Sequence, residues 1–210
     1  MRAVKLLAPL ALFAAASTAQ ATVIVTSTGG QLSSSVSGAQ TFDFVDGGSN
    51  GCGGYETCSG DFAFLRDGNP SLYAKPAGLS ADDWFLTVPY DNAGGTATFG
   101  LGFSADYFGL LWGSIDSYNT ITFFSAGSAV ASFSGGDAPI VPADGNQATS
   151  FFVEFLFEDG LSFDAVELDS TRRAFETANH AVRAVPAPGA LALLGTGLLG
   201  LALVRRRRLD

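Results

Sequence analysis

The sequence predicts an all-β body, an antiparallel β-sandwich or jelly roll, flanked by an N-terminal signal peptide and a C-terminal transmembrane helix. Three observations carry this reading. Gly (26) and Phe (18) are abundant while charged residues make up only 15% of the 210, unlike the Ala/Glu/Lys/Leu profile of helical bundles. Short runs of β-branched and aromatic residues recur between polar turns. Both chain ends carry apolar runs flanked by basic residues.

Taken in order, TVIVTS near Val23, QTFDFV near Phe42, WFLTV at Trp84–Val88, TATFGLGF at Thr96–Phe103 and YFGLLWG from Tyr107 read as strands. NTITFF from Asn119, SAVASF from Ser128, SFFVEFLF from Ser150 and SFDAVEL from Ser162 continue the series, and a last strand holds His180. Phe42/Phe44 and Phe151/Val153/Phe155/Phe157 alternate with period two, which places each set on one face. The alternation is less clean at Phe163/Ala165/Val166. DGGSNG, RDGNP, DNAGG, SGGDAP and EDG have turn chemistry.

The first 21 residues have the three parts of a secretory leader. Arg2 and Lys5 supply positive charge, Leu6–Ala16 is apolar, and Ala19 and Ala21 give the small-x-small pattern that signal peptidase accepts. Cleavage is expected after Ala21. At the other end, Gly189–Val204 is uncharged. As a helix it would extend about 24 Å at 1.5 Å per residue, somewhat short of a hydrocarbon core about 30 Å thick. Arg205, Arg206, Arg207 and Arg208 follow directly. Such a cluster stays on the cytoplasmic side of the inner membrane and leaves the body outside. The chain therefore divides into a signal peptide (1–21), a β-body (22–184) and a tail (185–210).

Val185, Pro186, Ala187 and Pro188, then a Leu/Gly-rich span, then terminal arginines, resemble the PEP-CTERM sorting signal of Gram-negative envelope proteins. Ala187 stands where Glu is usual. The resemblance implies an exosortase partner, a membrane-embedded enzyme that processes the tail near the proline element. It makes the apolar run a sorting helix and the destination the cell surface, outer envelope or medium. Tyr107–Phe124 is also similar to the central hairpin of a group of exosortase-dependent surface proteins. Ala143 in ADGNQ and Ala174 in AFETANHAV resemble later parts of that group. This second likeness implies a secreted β-sandwich without supplying a reaction. Carbohydrate-binding jelly rolls often carry Asp-Asn before the last strand; here the pair is Ala178-Asn179.

Charge narrows the partners. Six of the 11 basic residues lie in the end segments, leaving five against nineteen acidic side chains in residues 22–186, a net of −14. A body so acidic repels phosphate backbones, which excludes nucleic acid. Cys52 and Cys58 are the only cysteines, and in an oxidising compartment they are expected to form a disulfide. Closing that short loop stabilises by about 2 kcal/mol. With one histidine, His180, a zinc site would need more ligands, and a Ser/His/Asp set has no marked nucleophile.

Asp43, Asp46, Asp61, Asp67, Asp82, Asp83, Asp91, Asp106, Asp116, Asp137, Asp144, Glu154, Glu158 and Asp159 mostly occupy turns, where Asp bonds its own backbone. DGGSNG and Asp116/Asn119 offer some oxygens for calcium, without matching an EF-hand loop. No metal or catalytic residue is assigned, and the cofactor expectation is none beyond calcium. Trp84, Tyr107, Trp112 and Tyr118 have the surface to stack on sugars, although Trp112 reads as core. The expected function is a non-enzymatic envelope or extracellular-matrix protein with a structural or adhesive role. The alternative is a carbohydrate-binding module for exopolysaccharide. A cleft holding two facing carboxylates, one with a raised pKa, would instead favour a glycoside-active enzyme.

Overall fold

The computed structural model describes residues 22–42, 44–137 and 142–186. Eleven strands form one antiparallel hydrogen-bonded sheet. They are β1 (Val23–Gly29), β2 (Gln40–Thr41), β3 (Thr57–Gly60), β4 (Ala63–Leu65), β5 (Phe85–Val88) and β6 (Gly95–Gly113). β7 (Asn119–Ser125), β8 (Ser128–Ser134), β9 (Ser150–Phe157), β10 (Phe163–Ser170) and β11 (Phe175–Ala184) complete it. Among the described residues, one 3-10 turn covers Val45–Gly47. The expected all-β, antiparallel character holds, as one continuous sheet; the pairing does not establish a jelly-roll winding.

β6 explains the continuity. Its first part pairs with β3 and β10, and its second part, from Tyr107, with β9 and β11. The sequence suggested two strands here, ending at Phe103 and restarting at Tyr107. Instead Gly102–Asp106 carries the chain on, because the segment lacks a turn-forming pair and Ala105 still bonds within the ladder. The sheet folds back on itself across this strand. Phe123 on β7 meets Phe155 and Phe157 on β9 with centroids 5.0 and 4.9 Å away, and Phe108 on β6 at 5.6 Å. The main core lies between these halves.

A second, smaller cluster holds Phe85, Tyr107, Leu111 and Phe152, packed against partly buried Val36, Tyr73 and Leu79 from the connections. The second part of β6 is therefore covered on both faces, which is why YFGLLWG is continuously apolar rather than alternating.

Other departures from the sequence reading have local causes. Phe42 and Phe44 are both buried, but not as alternating strand residues. Phe44 has φ +58° and leads into the 3-10 turn, which swings both rings inward. The blurred alternation near Phe163 is a bulge: the register with β6 shifts between Phe163 and Ala165, after which Val166, Leu168 and Ser170 alternate cleanly. Tyr107–Phe124 is not a hairpin, since β10 lies between β6 and β7 in the sheet. The connection at 114–118 crosses from one half of the fold to the other. β3 and β4 were not foreseen; β3 follows the Gly-rich loop and lies so close to β6 that a Cβ on Gly60 (φ +114°) would collide with the Thr96 carbonyl.

Candidate functional site: a polar cleft and the C-terminal tail

Cys52 and Cys58 are bridged, with Cα atoms 5.5 Å apart. The bridge closes a loop whose Tyr55 is 1% exposed. The Tyr55 hydroxyl lies 2.6 Å from His180 Nδ1, and His180 Nε2 lies 2.8 Å from Thr177 Oγ1. Both nitrogens of the lone histidine are therefore engaged inside the core, among the rings of Phe44 and Phe108. Burial pulls its pKa down to about 3, which suits a structural histidine and not a general base. Asn179 (φ +50°) sits at a bulge in β11, where Asn179 and His180 together face the single residue Leu110 of β6, and its side chain bonds the Leu32 carbonyl.

Of the aromatics considered for stacking, Tyr107 and Trp112 are core residues, the latter stacked on Phe175 at 4.4 Å. Trp84 and Tyr118 are half-buried and border surface clefts. The proposed calcium pair Asp116/Asn119 does not form. Asn119 is fully buried, its Oδ1 accepting from Ser170 Oγ at 2.7 Å and its amide directed at the Ala174 carbonyl. In DGGSNG, Asn50 is used to cap Cys52 and to bond the Tyr55 carbonyl. Asp43 lies outside the described residues.

A cleft of about 290 Å³ opens where residues 70–72, 114–118, 144–147 and 173–176 meet. Its floor is Glu176, the second residue of β11, opposite Gly113 on β6 and only 3% exposed. Glu176 Oε1 accepts the Ala74 N–H and Oε2 the Ser114 hydroxyl, each at 2.7 Å. Burial pushes its pKa up to about 7; those hydrogen bonds oppose the rise, and the charge of Asp116 adds to it.

Above the floor stand Asp116 and Tyr118. Burial raises the Tyr118 pKa, as do its hydrogen bond to Asp116 and the charges of Asp116 and Glu176, which places the three groups in one field. The Arg172 guanidinium lies 5.4 Å from the Tyr118 ring centre. Asp116 and Asp144 are bridge partners, locked by the Gly145 N–H to the Ile115 carbonyl at 2.9 Å. Gly145 (φ +63°) is required there, since a Cβ would come within 2.6 Å of Asp116 Oδ1. Arg173 donates to the carbonyls of Asn92 and Asp91, and Gln147 to that of Pro70.

Sequence reasoning placed Asp116 and Asp144 among the candidate carboxylates but missed Glu176. The available signal was an acid inside the otherwise uncharged FETANHAV, in a strand buried on both faces. The raised carboxyl beside a second carboxylate meets part of the criterion for a glycoside-active site. Both Glu176 oxygens, however, are bonded to the fold itself. Among the described residues, no three His, Cys, Asp or Glu side chains are placed to hold a metal ion.

Beyond the cleft, β11 ends at Ala184, and the Val185 N–H bonds the Ser104 carbonyl at 2.8 Å. Val185 is 40% exposed and Pro186 is exposed. The leader with Ala19 and Ala21, Ala187, Pro188, the apolar run and Arg205–Arg208 lie outside the described residues. Among those described, no helix is long and apolar enough to cross a membrane.

No curated protein sequence matches the chain. Among solved structures, CpGH89CBM32-6 produced by Clostridium perfringens aligns with 62% of this chain and 95% of its own, at 8% identity and TM-score 0.36. The enzymatically active domain of bacteriophage CBA120 tailspike protein 4 aligns with 68% of this chain at 16% identity and TM-score 0.33. The alignment spans 20% of that tailspike chain. Residues 184–208 match the family model of the PEP-CTERM protein-sorting motif. That match starts where β11 ends and takes in Pro186 and Arg205–Arg208, so the chain carries the PEP-CTERM protein-sorting motif at its C-terminus.

Proposed function

We propose that the protein is an exported envelope protein whose acidic β-body is displayed or released after an exosortase processes the tail. Its role there is structural or adhesive and non-enzymatic. Signal peptidase removes the leader, and the tail holds the chain in the inner membrane until processing. One observation carries this reading: the last strand and the sorting motif meet at residue 184. Strand pairing is complete by Ala184, so cutting beyond the exposed Pro186 removes no ladder bond. The acidic, disulfide-bridged body suits an oxidising exterior.

The test is to follow the protein's mass and location in cells with and without the exosortase. The expected result is a shorter, surface or released form in the first, and a full-length, inner-membrane form in the second. Unchanged mass and location would refute the proposal.

A further inference from the structure

Among the described residues, five strands pair on one side alone and so lie at edges of the sheet: β1, β2, β3, β4 and β8. An edge exposes a row of unbonded N–H and C=O groups, which folds guard with short strands, charge, proline or bulges. β2, β3 and β4 have only two, four and three residues. β8 bulges at Val130, where its register with β7 slips. β1 has none of these guards. It runs for seven residues, Val23–Gly29, without charge or proline and in unbroken register with β9.

The ladder fixes which groups of β1 are unbonded. Next to the Val23/Phe157 pair, the Glu158 N–H donates to the Thr22 carbonyl at 2.9 Å. On the other side of β9, the Ser114 N–H donates to the Thr149 carbonyl. Bonded pairs alternate along an antiparallel ladder. Even-numbered residues of β9 therefore bond β1, and odd-numbered ones bond β6. Ile24, Thr26 and Thr28 spend their backbone groups on β9. The N–H and C=O groups of Val23, Val25, Ser27 and Gly29 point away from the sheet, with no bond among the described residues.

Charge narrows what can cover them. Residues 22–186 carry a net of −14, so two copies repel over most of their surface. β8 lies on the same side of the folded sheet as β1. Its Phe133 meets Phe155 of β9 at 5.1 Å, and Val23, Val25 and Val130 pack against the same core. Neither β1 nor β8 holds a charged residue. Two acidic bodies approach each other there with least repulsion, and a charged partner finds no counter-charge on either strand.

We propose that β1 pairs antiparallel with β1 of a second copy of this chain, joining two bodies into one continuous sheet. Register supports this occupant. Setting Val23 against Gly29 of the partner subunit, and Val25 against Ser27 of the partner subunit, puts a twofold axis at Thr26. Every outward N–H and C=O of both strands is then bonded, because each bonded pair exchanges two hydrogen bonds. A slip by one residue sets outward groups against spent ones, and a slip by two leaves Val23 or Gly29 unpaired. The strand is thus complementary to itself, as a twofold interface requires. Ile24, 42% exposed, comes to lie beside Thr28 of the partner subunit. The pairing stands independently of how the tail is processed.

The test uses the full-length protein, in cells and purified in detergent. Cys52 and Cys58 are bridged to each other, so one added cysteine is the only free thiol. On the axis, the two copies of Thr26 form a non-hydrogen-bonded pair with Cα atoms about 4.5 Å apart, within disulfide reach. Thr26→Cys should therefore give a covalent dimer on a non-reducing gel. Ile24→Cys alone should not, because the register offsets its two copies by about 13 Å along the strand. Mixed with Thr28→Cys, it should. Asp82→Cys, exposed just before β5 on the opposite side of the sheet, should not. Ser27→Pro deletes an outward N–H and leaves the β9 ladder whole. Sedimentation should show it raising the dimer dissociation constant about tenfold or more, for the two hydrogen bonds lost across the axis. A wild-type monomer at high micromolar concentration would overturn the proposal. So would a dimer that Ser27→Pro leaves unchanged and Thr26→Cys does not link, the outcome of association through the tail. Equal linking at Ile24 or Asp82, or a Thr26→Cys link to a different protein, would overturn it too.

Discussion

Glu176→Gln removes a titration that opposes folding. The Glu176 carboxyl titrates at about 7 in the fold against an ordinary value of 4.5. The folded chain therefore holds more protons than the unfolded one between these pH values, and stability falls as pH rises through that window. At 1.36 kcal/mol per pH unit the loss reaches about 3 kcal/mol above pH 7. His180 acts in the opposite sense. Its pKa falls from 6.5 to about 3, so the unfolded chain holds the extra proton there and stability rises with pH across that window, by about 5 kcal/mol in all.

The two slopes cancel between pH 4.5 and 6.5. As far as these two groups decide it, the wild-type protein is flat in that interval. The variant keeps only the histidine slope and gains about 3 kcal/mol there. Gln can replace both bonds, its carbonyl accepting from Ala74 and its amide donating to the Ser114 oxygen. Urea unfolding followed by circular dichroism at pH 4.5, 5.5, 6.5 and 8 gives the difference between variant and wild type, from which other carboxyls drop out. That difference should grow from near zero to about 3 kcal/mol, or about 6–12 °C in Tm for a chain of this size. Parallel profiles, or a wild type more stable at pH 8, would refute the account of Glu176 burial.

Three further outcomes can be checked by the same unfolding measurement. Replacing Cys52 and Cys58 by Ser should lower stability by about 2 kcal/mol, the chain entropy of that short loop. Chemical reduction of the wild type should match it. Tyr55→Phe leaves the buried His180 Nδ1 without its partner at 2.6 Å and should cost about 1–3 kcal/mol. Phe123→Ala empties the point where five other Phe rings converge and should cost about 3–5 kcal/mol.

Much of the strand content was legible because period-two alternation and Gly/Asp turns are local properties. β1, β5, β7, β8, β9, β10 and β11 fall where Val23, Trp84, Asn119, Ser128, Ser150, Ser162 and His180 placed them. The misses are where tertiary contacts overrode local pattern. Tyr107–Phe124 looks like a hairpin because two apolar runs flank a turn, yet β10 takes the place between them. Ala63–Leu65 is too short to signal a strand alone and forms one because β5 offers an edge. Within the cleft, Asp116 and Asp144 were visible as acids, but their pairing across 28 residues of chain was not.

By itself the sequence determined the strand-rich class, the acidic charge, the cysteine pair and the sorting motif. Each depends on composition or on residues close together in the chain. Only the tertiary structure decided that Tyr55 and His180 meet, that β6 serves both halves of one sheet, and that Glu176 sits buried beneath Asp116 and Tyr118. These are matters of burial and long-range register. A carboxyl's pKa and a ring's exposure follow from what the rest of the chain packs around them.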